Sequence, residues 1–287
     1  MNKYSFSCCL LLYGVSLGAV DIAITIDDYP LPNSCLFTVK ERAQKYIKAS
    51  SPFNSKIAFF CVGQHYLDRN DASLFELLQD NGHFIANHSM THRRVSSLSL
   101  DDFKQEIVST EKILSYYANM RKWFRYPYLD YGNRFSSGGS IGSIAVLDAL
   151  GYAEGYVSIN TFDWHINRRL QDAIKQQKNI DYAALRMVYL SLVEEWIEHY
   201  INLYRQILGQ EVVHTLLLHD NDLNALYLSD ILAMIRSRGW NIVSPEQAFY
   251  DTSWRKQILS NFKLIGKPHS LNLGRIDERL ARLQVIQ

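Results

Sequence analysis

The feature that most constrains this chain is a series of short apolar runs, each of strand length, separated by longer stretches with helical spacing. Val20–Ile26 (VDIAITI) alternates and is β-branched, while Lys56–Val62 (KIAFFCV) and Val212–Leu218 (VVHTLLL) are near-continuous. Phe84–Asn87, Trp123–Arg125, Ala153–Ile159 and Trp240–Val243 are weaker strand candidates. Near-continuous apolar runs suit strands covered on both faces. Between them, Ala72–Gln79, Leu100–Tyr117, Asp181–Ile207 and Leu223–Arg238 show apolar residues at helical spacing, with Asn81-Gly82 and Gly239 as stops and Ser99 as an N-cap. Strands alternating with helices predict an α/β chain built on a parallel sheet or barrel. A length of 287 residues allows two domains, but one α/β barrel reaches about 250 residues by itself.

Composition adds exclusions. With 47% hydrophobic residues the chain can bury a large core, which excludes wholesale disorder. Lys+Arg number 30 against 29 Asp+Glu, so the basic excess expected of a nucleic-acid binder is missing and no such partner is expected. Lys3, the apolar stretch Cys8–Leu17 and the small residues Gly18 and Ala19 have the layout of a secretory signal peptide over residues 1–19. The expected location is therefore secreted or periplasmic. No later stretch approaches the ~18–20 apolar residues of a transmembrane helix. Cys35 and Cys61 are the cysteines outside the leader, and the sequence leaves open whether they pair. Residues 251–287, more charged and broken by Lys267-Pro268, are expected to form an extension packed on the barrel.

Polar clusters follow the strand candidates. Asp27-Asp28 follows the first, His88–His92 (HSMTH) the third, Arg125–Tyr128 (RYPY) the fourth, Asp163-Trp164 the fifth and His219-Asp220 the sixth. In barrels and open α/β sheets the C-terminal strand ends converge on the ligand site. Each cluster alone has an ordinary structural reading, as a cap, a turn or a satisfied polar group. Together they suggest chemistry. Adjacent carboxylates can divide roles between metal and proton. His88 and His92, at i and i+4, are expected on one face of a helical turn, and two histidines with one aspartate suit a catalytic Zn²⁺ or another divalent ion. His219 closes an apolar strand and suits general acid work near neutral pH. Arg125 reads as a fixed cation for a carboxylate. Pro127 stiffens the turn that carries the Tyr128 backbone N–H.

The segments TIDD (Thr25–Asp28), GHFIANHSMTH (Gly82–His92), FRYPY (Phe124–Tyr128), TFDW (Thr161–Trp164) and LLLHD (Leu216–Asp220) resemble the polysaccharide deacetylases of the NodB-homology type, carbohydrate esterase family 4. The matching span is about Val20 to Phe249. The resemblance implies a distorted (β/α)7-type barrel over residues 20–250. It implies Asp27 as catalytic base and Asp28, His88 and His92 as ligands of zinc or of another divalent metal such as Co²⁺, Ni²⁺ or Mn²⁺. It further implies Arg125 as holder of the base, the Tyr128 N–H as oxyanion donor, Asp163 as the acid that fixes the arginine, Trp164 and Leu217 as acetyl-pocket walls, and His219 as catalytic acid. The implied activity is metal-assisted removal of N-acetyl groups from an acetylated carbohydrate of peptidoglycan or chitin type.

Departures from the family pattern keep other readings open. Tyr29 stands where a glycine is common, RYPYLDYG replaces RPP(Y/F)G, and Asn160 stands where an aspartate is common, leaving Asn160 or Asp163 to orient Arg125. Residues 166–208 look like a helical insertion near the site. The alternatives are the same site acting on O-acetyl esters or a small amide or imide, and, in another class, an inactive glycan-binding module.

Overall fold

The computed structural model describes residues 19–132, 139–250, 254, 273–282 and 285–286. The leader expected over residues 1–19 falls almost entirely outside them. Among the described residues, eight strands form a single parallel sheet: β1 (Asp21–Tyr29), β2 (Ile57–Cys61), β3 (Phe84–Asn87), β4 (Met120–Phe124), β5 (Ala153–Glu154), β6 (Ile159–Asn160), β7 (His214–His219) and β8 (Asn241–Val243). The helices are α1 (Val39–Ser50), α2 (Gly63–Arg69), α3 (Ser73–Asp80), α4 (Leu100–Leu114), α5 (Gly139–Ala149), α6 (Asp163–Lys175), α7 (Tyr182–Leu208), α8 (Asp222–Ser237), α9 (Pro245–Tyr250) and α10 (Leu273–Arg282).

The sheet order is β5-β4-β3-β2-β1-β7-β6, with β8 pairing the start of β1. Its two edges, β5 and β6, are joined by Gly155–Ser158 alone. Five residue steps span at most about 17 Å, so the sheet must curl until its edges nearly meet. The expected single strand Ala153–Ile159 is therefore two short strands on opposite edges, with the crossing between them. Hydrogen bonds seal the seam: Gly155 N donates to Phe124 O (2.8 Å), Thr215 Oγ1 to Tyr156 O (2.7 Å) and Ser158 N to Thr215 Oγ1 (3.1 Å). A Cβ on Gly155 would lie 2.4 Å from Phe60 Cζ, so only glycine lets the seam run this close to the barrel interior.

Side-chain alternation on β1 sorts the core. Ile22, Ile24 and Ile26 join the large cluster under the helices, with residues of α1, α7 and α8. Ala23 joins Ala58, Phe60 and Ala86 in the barrel interior. The same parity sends Thr25 and Asp27 inward. Ser99 caps α4 through Asp102 N as expected, and further caps appear: Thr38 and Glu41 form a capping box on α1, Asp181 caps α7 through Ala183 N and Ala184 N, and Gly209 (φ 66°) ends α7.

The segment 166–208 comprises most of α6 and all of α7. α7 is part of the core, with Val188, Tyr189, Leu192, Val193 and Ile197 buried. α10 seats Ile276 and Leu280 on the same core, and Asp277 lies 3.1 Å from His165 of α6. Cys35 is exposed, Cys61 is buried in β2, and both are free thiols. No helix among the described residues is long and apolar enough to cross a membrane.

Candidate active site

Strand register brings the polar clusters together. Asp27 on β1 is paired directly with His219 on β7. Cys61 pairs with Asn87, and Asn87 with Phe124, which sets His88 and Arg125 side by side at the same end of the sheet. A cavity of about 660 Å³ opens there, lined by Asp27, Asp28, His88, His92, Tyr128, Trp164, Leu217 and His219, and also by His65, Arg94, Asn160 and Phe162. Trp164 is 39% exposed while Leu217 is 4% exposed, so the indole forms an open wall and the leucine a buried one.

Adjacent strand residues point to opposite faces, so Asp27 and Asp28 could not share a cavity in regular strand geometry. Asp28 escapes the alternation at φ 66°. Ser89 (φ 67°), His92 (φ 55°), Tyr128 (φ 57°), Leu129 (φ 51°) and Phe162 (φ 51°) are also left-handed without being glycine. Six of the nine such residues described thus sit in the loops around this cavity, where strained backbone most often serves a site. The expected helical turn over His88–His92 is absent. The two imidazoles converge through a loop held by Ser89 N to Asn87 Oδ1 (2.9 Å) and His92 N to Ser89 Oγ (3.0 Å).

The donor set of Asp28, His88 and His92 fits a divalent cation. His88 Nδ1 lies 2.8 Å from Arg125 O, and a carbonyl only accepts, so that nitrogen carries the proton. In the neutral ring, Nε2 then offers a lone pair. It faces His92 Nε2 at 3.2 Å and Asp28 Oδ1 at 3.4 Å, and His92 Nε2 lies 3.1 Å from the same oxygen. Among the described residues, Asp28 Oδ1 is buried without a hydrogen-bond partner. Metal–ligand bonds of about 2.0–2.1 Å in a tetrahedron put ligand atoms about 3.3–3.4 Å apart, the spacing seen here. Nitrogen and carboxylate donors accept Zn²⁺ as well as Co²⁺, Ni²⁺ or Mn²⁺.

Two ion pairs flank this triad. Arg125, 1% exposed, donates from Nη1 to both Asp27 oxygens (2.9 and 3.1 Å). Its Nε donates to Gly155 O, and Nη2 to Thr25 Oγ1 and Tyr156 O (both 3.3 Å). The guanidinium also lies 4.2 Å from the centre of the Phe60 ring. Burial works against its charge and leaves its pKa below the usual value, but the Asp27 carboxylate opposes that loss. Across the cavity, His219 Nδ1–H donates to Asp163 Oδ1 (2.7 Å). Asp163 Oδ2 accepts from His219 N (2.9 Å), Asn221 Nδ2 (2.8 Å) and Asn224 Nδ2 (2.5 Å), and Tyr189 of α7 donates to Asn224 Oδ1 (2.5 Å). Burial opposes charge on His219, yet Asp163, aided by Asp28 and Asp27, pushes its pKa up to about 10. Burial likewise opposes charge on Asp163, and His219 holds its carboxyl below the usual range.

This geometry corrects the expectation for Asp163. Its oxygens are taken by His219, Asn221 and Asn224, so Asp163 fixes the histidine and not the arginine. Asn160 does not fix Arg125 either, because its Oδ1 accepts from Phe162 N (3.0 Å). The arginine is oriented instead by Thr25 and the seam carbonyls of Gly155 and Tyr156. Tyr29 turns into the core cluster under the helices. Its ring is buried against Phe59 and Phe75, and its hydroxyl donates to Leu74 O (3.1 Å). Among the described residues, the Tyr128 N–H makes no backbone hydrogen bond. Asn221, Asn224 and Tyr189 escaped the sequence reading because an asparagine after a strand looks like a helix cap, a job that Asn221 also performs.

A family model described as polysaccharide deacetylase matches residues 15–141. A peptidoglycan-N-acetylglucosamine deacetylase of Bacillus cereus is 27% identical over 129 residues, which are 45% of this chain and 42% of that protein. The match thus spans less than half the length of that relative. A carbohydrate esterase family 4 pseudoenzyme from Bacillus anthracis has a similar structure, with TM-score 0.59 and 14% identity over 81% of this chain and 66% of the other. A family 4 carbohydrate esterase from Streptomyces lividans, in complex with acetate, gives TM-score 0.54 and 18% identity over 81% and 97%. At such identities these two structures speak to the fold, a curled parallel sheet wrapped by helices. Sequence match and fold agree: over residues 15–141 the chain matches the polysaccharide deacetylase family, and its fold is that of carbohydrate esterase family 4 structures.

Proposed function

We propose that this protein is a divalent-metal-dependent hydrolase that removes N-acetyl groups from an acetylated amino-sugar carbohydrate. The observation that carries the proposal is the placement of two buried ion pairs, Asp27 with Arg125 and His219 with Asp163, on either side of one possible metal-ligand triad, Asp28–His88–His92. A cation held by that triad would supply Lewis acidity, lowering the pKa of water and stabilising negative charge on the acetyl oxygen.

The remaining roles fall to the chain's own residues. Arg125 fixes both oxygens of Asp27 toward the cavity, and Asp27 accepts the proton of the attacking water. The new C–O bond makes a tetrahedral carbon, whose oxygen is in reach of the Tyr128 N–H. One such donor is worth about 3 kcal/mol in rate. Asp163 takes the Nδ1–H of His219, leaving Nε2 for the cavity, and His219 protonates the leaving nitrogen as the C–N bond breaks. The products are acetate and a free amine. Trp164 and Leu217 wall the acetyl group. The apolar stretch Cys8–Leu17 supports export as part of the same reading.

A panel of N-acetylglucosamine oligomers, acetylxylan and a small N-acetyl amide, assayed for acetate, tests the substrate class. Faster release from acetylxylan than from the oligomers would move the reading to O-acetyl esters. The competing reading, an inactive glycan-binding module, is kept in view by the pseudoenzyme that shares this fold. It requires oligomer binding with no acetate release, and the complete acid, base and ligand set argues against it.

A further inference from the structure

Arg94 also lines the cavity, and neither the metal triad nor the two ion pairs uses it. Its guanidinium carbon lies 4.2 Å from the centre of the Tyr128 ring, and that ring in turn packs on His92, centroid to centroid at 4.6 Å. The backbone beneath it is hydrogen-bonded. The Arg94 carbonyl accepts from Ser97 N (3.0 Å) and Ser97 Oγ (2.7 Å), and Val95 is buried. Among the described residues the guanidinium has no hydrogen-bond acceptor and no salt-bridge partner. Asp130 feels the Arg94 charge through space, but its carboxylate is engaged by Ser96 N (3.0 Å), Ser96 Oγ (2.6 Å) and Gly132 N (3.1 Å).

A guanidinium over an aromatic ring can keep N–H donors free for a planar anion. Here the exposed Arg94 lines the catalytic cavity, stacked near the ring of Tyr128. We propose that Arg94 is a specificity-determining residue that binds a carboxylate on the substrate, so that the preferred glycan bears an acidic substituent close to the N-acetyl group to be cleaved. This deepens the deacetylase reading and rests on it. It also reconciles an acidic substrate with a chain whose net charge is only +1, because recognition needs one placed cation and no basic surface.

The test compares three oligomers: neutral N-acetylglucosamine, the same backbone carrying lactyl-ether carboxylates on alternate sugars, and that oligomer with its carboxylates amidated. The readout is the ratio of kcat/KM for the carboxylate form over the neutral form, in the wild type and in Arg94→Gln and Arg94→Lys. The wild-type ratio is expected to exceed one, to fall toward one with added salt and to be absent for the amidated form. Arg94→Gln should cut it about tenfold, the size of one charge-assisted hydrogen bond in a wet site, and Arg94→Lys should keep part of it. A ratio unchanged within twofold in Arg94→Gln overturns the proposal. Binding affinities for the same oligomers, measured by calorimetry, separate the two readings. No acetate from any oligomer with the binding ratio intact sinks the deacetylase and leaves the carboxylate site standing. Acetate release with an Arg94-independent ratio sinks the carboxylate site alone.

Discussion

Asp163→Asn separates a tuned catalytic acid from a histidine that is merely near the site. The carboxylate is fully buried and accepts from His219 Nδ1, His219 N, Asn221 and Asn224. An amide of the same shape keeps one acceptor and adds one donor. If its oxygen faces the three donors at Oδ2, its NH₂ faces His219 Nδ1 and the ring loses its stabilising anion. The imidazole then falls from about 10, because burial still opposes its charge and its main anionic partner is gone, with only Asp28 and Asp27 left to favour it. Loss of a general acid costs about 10²–10⁴ in rate. Breaking the buried pair also costs on the order of 3–5 kcal/mol of stability. The assay is acetate release from N-acetylglucosamine oligomers across pH 5–10, with metal content measured in parallel, since Asp163 touches none of the triad. The expected result is wild-type metal content, a rate lower by about a hundredfold or more at pH 8, and an alkaline limb moved to lower pH. Activity within fivefold of wild type at pH 8, or an unmoved alkaline limb, refutes the role assigned to this pair.

Other consequences can be checked separately. Gly155→Ala pushes a methyl into Phe60 Cζ at 2.4 Å, and should lower stability by about 1–3 kcal/mol in denaturant melts while reducing activity through the displaced Arg125 anchor. Arg125→Met leaves Asp27 buried and unpaired, so the melting temperature should drop in step with a loss of about 3–5 kcal/mol; a variant as stable as wild type contradicts the pairing. In chelated protein, His219, raised to about 10, stabilises fully below about pH 6.5 and loses this as pH climbs through 10, while Asp163, lowered from 3.8, stabilises above about pH 4 and loses this in acid. The melting-temperature difference between wild type and Asp163→Asn should therefore be widest between these limits, and a flat difference would refute the linkage. Tyr189→Phe, which frees Asn224 to turn, should lower kcat with little change in KM; equal changes in both would argue for a structural role only.

The parts of this molecule that were legible in the sequence are those set by local pattern. β1, β2 and β7 announced themselves as apolar runs, and α4, α7 and α8 by helical spacing and caps. α1 did not, because its sequence VKERAQKYIKAS is mostly polar and its seat depends on Arg42 reaching Asp220 at 2.7 Å, 178 residues away. Ala153–Ile159 misled because its apolar content comes from crossing the barrel seam. The site was legible as a set of strand-end clusters, yet their partnership was not. Asp163 lies 56 residues from His219, and only the pairing of β6 with β7 and the start of α6 shows which cation it meets. The carbonyls that hold Arg125 left no side-chain signal to read.

Metal-dependent acetate release is the activity on which all the residue roles above depend. The decisive measurement is acetate formed per mole of protein from N-acetylglucosamine oligomers, first with metal, then after chelation, then after restoring one equivalent of Zn²⁺, alongside His88→Ala. The account predicts repeated turnover that chelation abolishes and one equivalent of metal restores, with substoichiometric metal and no turnover in His88→Ala. Full activity after chelation, or metal-loaded protein that binds the oligomers and releases no acetate from them, would contradict it.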